Sequence, residues 1–159
     1  MITPLIVLFL LVFPAVLSFI GARIFNVNYN FPPSAYWGLG LCFLFFSMGH
    51  WLKPEAMVQM LPPWVPERLT LIYLTGVLEL VIGVALFTRR FQYLAALFAL
   101  GVLIVFFPSN IYAALHKTGM GGHQWGPVYL LIRAPLQFIL ISWTWLFCLK
   151  PSYQSCKSI

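Results

Sequence analysis

Acid is scarce in this 159-residue chain. Three glutamates, Glu55, Glu67 and Glu79, and no aspartate stand against nine Lys and Arg, and charged residues of either sign make up only 8% of the whole. A soluble globular domain carries about 25% charged residues, so a water-exposed globule is excluded. Cysteine is scarce too. Cys42, Cys148 and Cys156 form no CxxC pair, which leaves neither a disulfide framework nor a dithiol redox motif and makes the first two small buried hydrophobes. The net charge of +6 is spread near the ends of apolar runs; that placement is topological and marks no nucleic-acid surface.

What is abundant is hydrocarbon: 62% of the residues are hydrophobic and the mean hydropathy is +0.93. A membrane-spanning helix needs ~20 apolar residues, and five runs meet that length: Pro4–Ala22, Ala35–Leu52, Leu69–Thr88, Gln92–Leu115 and Gly126–Leu149. The segments between them, "RIFNVNYNFPPS", "KPEAMVQMLPPWVPER", "RRF" and "HKTGMGGHQW", hold the Pro, Gly, Asn and charge that end apolar helices. The expected fold is an all-α integral membrane protein, a bundle of five transmembrane helices forming one domain with a short cytoplasmic tail at 150–159. The first run lacks a basic leading segment and a small-residue cleavage site, so it is read as a span and not a signal peptide. The final "CKSI" lacks the aliphatic pair of a prenylation box.

Five spans put the termini on opposite sides. One side then collects Arg23, Arg89, Arg90, Lys150 and Lys157 with no acid, and the other collects Lys53, Arg68 and Lys117 beside Glu55 and Glu67. By the positive-inside rule the N-terminus faces outward and the C-terminus lies in the cytoplasm, as for a multi-pass protein of the cell (inner) membrane.

Polar residues inside the spans are few and fall in one half. At ~1.5 Å of rise per residue, Glu79 lies about 15 Å below the outer end of its span, Arg133 about 10 Å and Asn110 about 8 Å below theirs. Gln137 follows Arg133 by one turn on the same face, and His50 sits just inside the outer end of the second run. A carboxylate near the centre of a hydrocarbon layer costs roughly 2.5–3.5 kcal/mol on the insertion scale unless it finds a partner, a proton or water. One shared pocket of His50, Glu79, Asn110, Arg133 and Gln137, opening outward, answers that need. The competing expectation is a structural Glu79–Arg133 ion pair with no ligand. Gly76, Glu79 and Gly83 share a stripe that favours close helix packing, and Pro108 and Pro135 interrupt the hydrogen bonding beside Asn110 and Arg133. The second loop is rich in apolar side chains; Pro54 can open a short amphipathic helix there, with Met57, Met60 and Trp64 as a lid over the pocket or as an interfacial anchor. His116 and His123 flank "KTGMGG" without helical ligand spacing, and no metal site is expected.

The blocks "GLCFLFFSMGHWLKPEAMVQMLPPWVPE", "LIYLTGVLELVIGVALF", "VFFPSNIYAALHK" and "LLIRAPLQFILISW" resemble the successive blocks of small DoxX-like membrane proteins. The features that carry the resemblance are G-x-x-x-x-P from Gly49 to Pro54, G-x-x-E from Gly76 to Glu79, F-P-x-N from Phe107 to Asn110 and R-x-P-x-Q from Arg133 to Gln137. The resemblance implies a four-helix core, residues about 35–149, with the first span added in front. It also implies a place in quinone-linked sulfur oxidation or in thiol and oxidative-stress complexes. With no haem, flavin or dithiol motif in the chain, electrons would come from a quinone or a redox partner protein. The functional expectation is thus a membrane subunit whose outward pocket takes a quinone or similar amphipathic molecule. The alternatives are a non-enzymatic scaffold, binding a partner protein or a second copy, and a lipid- or solute-handling protein.

Overall fold

The computed structural model describes residues 2–27, 31–116 and 126–150, and all regular structure among them is helical. In chain order the elements are α1 (Ile2–Ile24), α2 (Phe31–Leu52), α3 (Pro54–Val58), α4 (Arg68–Phe87), α5 (Gln92–Leu115) and α6 (Pro127–Trp143), which passes into a π-helical turn, Thr144–Leu149. These bounds lie within a few residues of the five apolar runs. Residues 151–159, with Cys156, and residues 117–125, with His123, lie outside the described residues.

Among the described residues four helices are long and apolar enough to cross a membrane: α1, α4, α5 and the continuous segment Val128–Leu149. Their outer faces carry large apolar side chains such as Leu5, Val81, Phe98 and Leu131, all exposed in the isolated chain. Such a surface needs lipid, not water, and a helix satisfies its own backbone there. α2 is 22 residues long, but Ser34, Ser47, His50 and its glycines and prolines make it less apolar. Its position explains the difference, because α2 packs against both α1 and α4 and buries its small and polar residues against protein.

Glycine permits that central position. A Cβ on Gly38 would run into the backbone carbonyl of Leu11 on α1; on Gly40 it would lie 3.1 Å from the carbonyl oxygen of Gly83, and on Gly83 3.2 Å from the amide of Leu44. Without side chains at these points the backbones of α1, α2 and α4 approach closely enough to pack by dispersion, the main attraction between helices in lipid. The Cys42 thiol uses the proximity to donate to the Val7 carbonyl at 3.4 Å. Around the crossing lie Val7, Leu11, Leu39, Phe43, Ile82 and Leu86, joined by Ala96, Ala99 and Leu103 of α5 and Leu136 and Leu140 of α6.

The end of the bundle formed by the start of α2 and the end of α6 is closed by aromatic residues. Phe31, Trp143 and Phe147 pack edge to face, with centroids 4.9 to 5.8 Å apart. The Tyr36 hydroxyl donates to the Cys148 carbonyl at 2.6 Å and the Trp143 indole to the Ala35 carbonyl at 3.2 Å. The π-turn was not expected from the apolar pattern. Its cause is local: the Thr144 hydroxyl donates to the Leu140 carbonyl at 2.8 Å, and the ladder then widens so that Lys150 donates to Trp145. At the opposite end Gly126, at φ 71° and ψ −149°, opens α6 in a conformation that residues with a Cβ avoid. Pro14, Pro108 and Pro135 all lie inside helices that continue through them.

Two glycines separate crowding from helix propensity. Gly38→Leu, against the Leu11 backbone, is expected to lose roughly 1–3 kcal/mol or to prevent assembly, whereas Gly101→Leu, where a Cβ meets nothing within 4 Å, keeps wild-type stability. Thermal unfolding in mild detergent, followed by tryptophan fluorescence and gel filtration, compares them directly.

Candidate functional site

The end of the bundle opposite the aromatic closure holds the polar residues. α2 brings His50 there two residues before its end, and α4 brings Thr75 and Glu79 on successive turns of one face. His50 Nε2 lies 3.2 Å from Glu79 Oε2, with both side chains almost fully buried. The other ring nitrogen, Nδ1, is 3.4 Å from the Thr75 hydroxyl, which also donates to the carbonyls of Leu71 and Ile72. Gly76 makes the contact sterically feasible, since a Cβ there would sit 2.7 Å from His50 Cβ. Ser47, one turn before the Gly49–His50 step, ties the same helices by donating to the Gly76 carbonyl at 2.8 Å.

The second half of the cluster belongs to α5 and α6. Arg133 Nη2 donates to Asn110 Oδ1 at 3.3 Å. Tyr129, one turn earlier on α6 and fully buried, is beside the guanidinium, and Glu79 is close enough for its charge to act on it. Gln137, the next residue along that face, donates to the Leu103 carbonyl at 2.6 Å and is buried.

The four helices therefore bring His50, Glu79, Asn110 and Arg133 to one level, but as two pairs. Glu79 lies against His50 and Arg133 against Asn110, in place of the expected direct Glu79–Arg133 ion pair. The physical reason is steric: Gly76 lets α2 lie against α4, so the imidazole reaches the carboxylate first. Gln137 is committed to a backbone bond between helices. Thr75, Ser47 and Tyr129 were not singled out from sequence, although Thr75 and Tyr129 lie one turn before Glu79 and Arg133 and share their faces. Two buried atoms of the cluster, Glu79 Oε2 and Arg133 Nε, lack a well-directed hydrogen bond, and buried polar atoms of this kind are rare in native structures.

α3 begins at Pro54, as expected, and packs on α2 and α4 at the rim of this region. Of the lid candidates, Met57 reaches inward, its Cε 2.8 Å from the position of a Gly49 Cβ. Met60 is half-buried, and Trp64 is 81% exposed, so its ring stays outside the bundle. Among the described residues no group of three His, Cys, Asp or Glu is placed to hold a metal ion. His116 is exposed at the end of α5, stacked on Tyr112.

An apolar groove of about 490 Å³ runs between α4 and α5, lined by Thr75 and Leu78 on one side and by residues from Leu94 to Phe106, Gly101 among them, on the other. Its size is that of small-molecule sites. One end is Thr75, and through Thr75 the groove meets His50.

Removing one partner of a buried pair that contains a carboxylate strands the other, a loss of roughly 3–5 kcal/mol, while removing both is far milder. His50→Leu is accordingly expected to destabilise the protein strongly and the double replacement His50→Leu with Glu79→Leu to restore most of the loss. A double-mutant cycle on unfolding in detergent measures the coupling, and additive effects would contradict the pairing.

The arrangement has no counterpart to borrow a function from: no curated protein and no solved structure matches the chain. One family model does, the family described as "Domain of unknown function (DUF8561)", over residues 39–148. The matched region begins within α2 and runs to the π-turn, so it contains both polar pairs and leaves out α1. On that match the chain belongs to the DUF8561 family.

Proposed function

We propose that this protein is the DoxX-like membrane subunit of a quinone-linked or thiol and oxidative-stress redox system in the cell (inner) membrane. Its polar cluster takes the head of a quinone or similar amphipathic molecule. The observation that carries the reading is the buried His50–Glu79 pair, 3.2 Å apart, at the end of an apolar groove that reaches it through Thr75. A quinone needs both parts, a polar head site and an apolar channel for its isoprenoid chain. On reduction it takes two electrons, here from a redox partner protein, and two protons, for which His50 and Glu79 are the route. The head lies at His50 and Glu79, and the groove between α4 and α5 holds the tail.

In this reading α2 is a fifth span, shielded from lipid by α1 and α4, with the N-terminus outside and the C-terminus in the cytoplasm. The charge distribution supports it: Arg23, Arg89, Arg90 and Lys150 lie at the ends of helices sharing one side, and both exposed glutamates, Glu55 and Glu67, lie on the other. With the native cysteines replaced, Glu55→Cys is expected to react with a membrane-impermeant maleimide on intact cells. Arg90→Cys reacts only after lysis, and the reverse pattern overturns the orientation.

A scaffold reading has its own support, since Ser47–Gly76, Arg133–Asn110 and Gln137–Leu103 are all bonds between helices; lipid or solute handling has no comparable observation. Purification in mild detergent, with lipid extraction and mass spectrometry, separates the readings. A co-purifying quinone and a thermal shift with added quinone are expected. Gly101→Phe, which fills the groove from a position with open space around it, is expected to weaken binding of a long-tailed quinone about tenfold or more and to spare a tailless one. No quinone and no shift would leave the scaffold.

A further inference from the structure

Among the described residues Arg133 has no carboxylate within ion-pair distance, although the charge of Glu79 acts on it. Of the three carboxylate side chains in the sequence, Glu55 and Glu67 are exposed around α3 and the start of α4, and Glu79 is taken by His50 at 3.2 Å. The single side-chain bond of the guanidinium to α5 goes to a neutral acceptor, Asn110 Oδ1, at 3.3 Å. Its Nε is buried with no hydrogen-bond partner. A guanidinium keeps its charge under all ordinary conditions and presents its donors as a fork matched to two oxygens of a carboxylate or phosphate. Inside a membrane protein such a cation is costly and marks a functional position.

We propose that Arg133, with Asn110 beside it, is the receptor for an oxyanion, a carboxylate or phosphate group delivered by a ligand to the polar end of the bundle, where α5 and α6 meet. This is separate from the quinone reading, because a quinone head carries no formal charge; the site would hold an acidic group whether or not a quinone binds at His50 and Glu79. Asn110 takes one hydrogen of Nη2, and the unpartnered Nε–H with the second hydrogen of Nη2 forms the edge that pairs with the two oxygens. Glu79 stays on His50, so an arriving anion does not compete with an existing salt bridge. The shared chemistry fits two sources, a free oxyanion such as phosphate or the anionic end of an amphiphile, and the surrounding apolar helices favour the amphiphile.

The test uses the full chain in a non-ionic detergent and reads the melting temperature against dodecanoate, dodecanol, dodecylammonium and inorganic phosphate. Dodecanoate is expected to raise the melting temperature by several degrees over dodecanol, with dodecylammonium giving no rise. Arg133→Gln, which retains a donor for Asn110, is expected to abolish the difference, and Arg133→Lys, which keeps charge but loses the fork, to reduce it about tenfold in affinity. A shift with phosphate alone that Arg133→Gln removes assigns the site to a free oxyanion; a shift only with dodecanoate assigns it to an acidic amphiphile. Equal shifts with dodecanoate and dodecanol, or a dodecanoate preference that survives in Arg133→Gln, overturn the proposal. Should Arg133→Gln fail to fold, Arg133→Lys carries the comparison, and an unchanged dodecanoate affinity there overturns it equally. Quinone binding measured on the same samples stays independent, so either idea can fail alone.

Discussion

A carboxylate on an apolar helix has to be neutralised or paired, and the rest of this bundle is arranged around how Glu79 meets that demand. Its partner, His50, belongs to another helix, so the pair exists only where α2 and α4 nearly touch. The distance between these helices is set by the absence of side chains at Gly76, Gly83 and Gly40. Close approach brings dispersion contacts along the whole crossing, which is the main source of helix association where no hydrophobic driving force acts between lipid-bathed helices. The polar contact and the packing are thus conditions of each other. α1 extends the same logic on the other face of α2, through Gly38 and the Leu11 backbone.

Much of this was legible in the sequence because the bilayer imposes a length and a solvent. Apolar runs of the needed length read directly as helices, and the structure ends α5 at the residues the composition indicates and α4 within one residue of them. Helical rise then placed His50, Glu79, Asn110 and Arg133 in one half of the molecule. What rise alone does not carry is azimuth between helices. Pairing depends on which faces meet, and that depends on which glycines let which backbones approach; Glu79 therefore found His50 where depth alone suggested Arg133. The π-turn at Thr144–Leu149 was invisible for a related reason. A threonine hydroxyl decides it, and that does not disturb the apolar pattern.

The two ends of the bundle are built differently. At one, Tyr36 and Trp143 give their donors to backbone carbonyls and the aromatic rings fill the remaining space; polar groups there are used up in holding α2 to α6. At the other, polar atoms remain over. Glu79 Oε2 and Arg133 Nε are buried without well-directed partners, while Ser47 and Gln137 nearby are fully engaged. A bundle that needed polar residues only for register could use the first design at both ends.

The charge balance of the chain sharpens that contrast. With so few carboxylates, each one's location constrains every cation, and the one carboxylate at membrane depth has taken the weaker base, a histidine, in preference to the permanent cation two helices away. If the cluster served folding alone, the favourable pairing would be the reverse, since a direct Arg133–Glu79 contact would set the guanidinium against the carboxylate and leave the imidazole at the interface, where it is readily hydrated. The observed pairing instead keeps a guanidinium held by a neutral amide with part of its donor fork unused. That is the arrangement of a site preorganised for a negative group, in which the positioning bond and the recognition bond are made by different hydrogens of the same side chain.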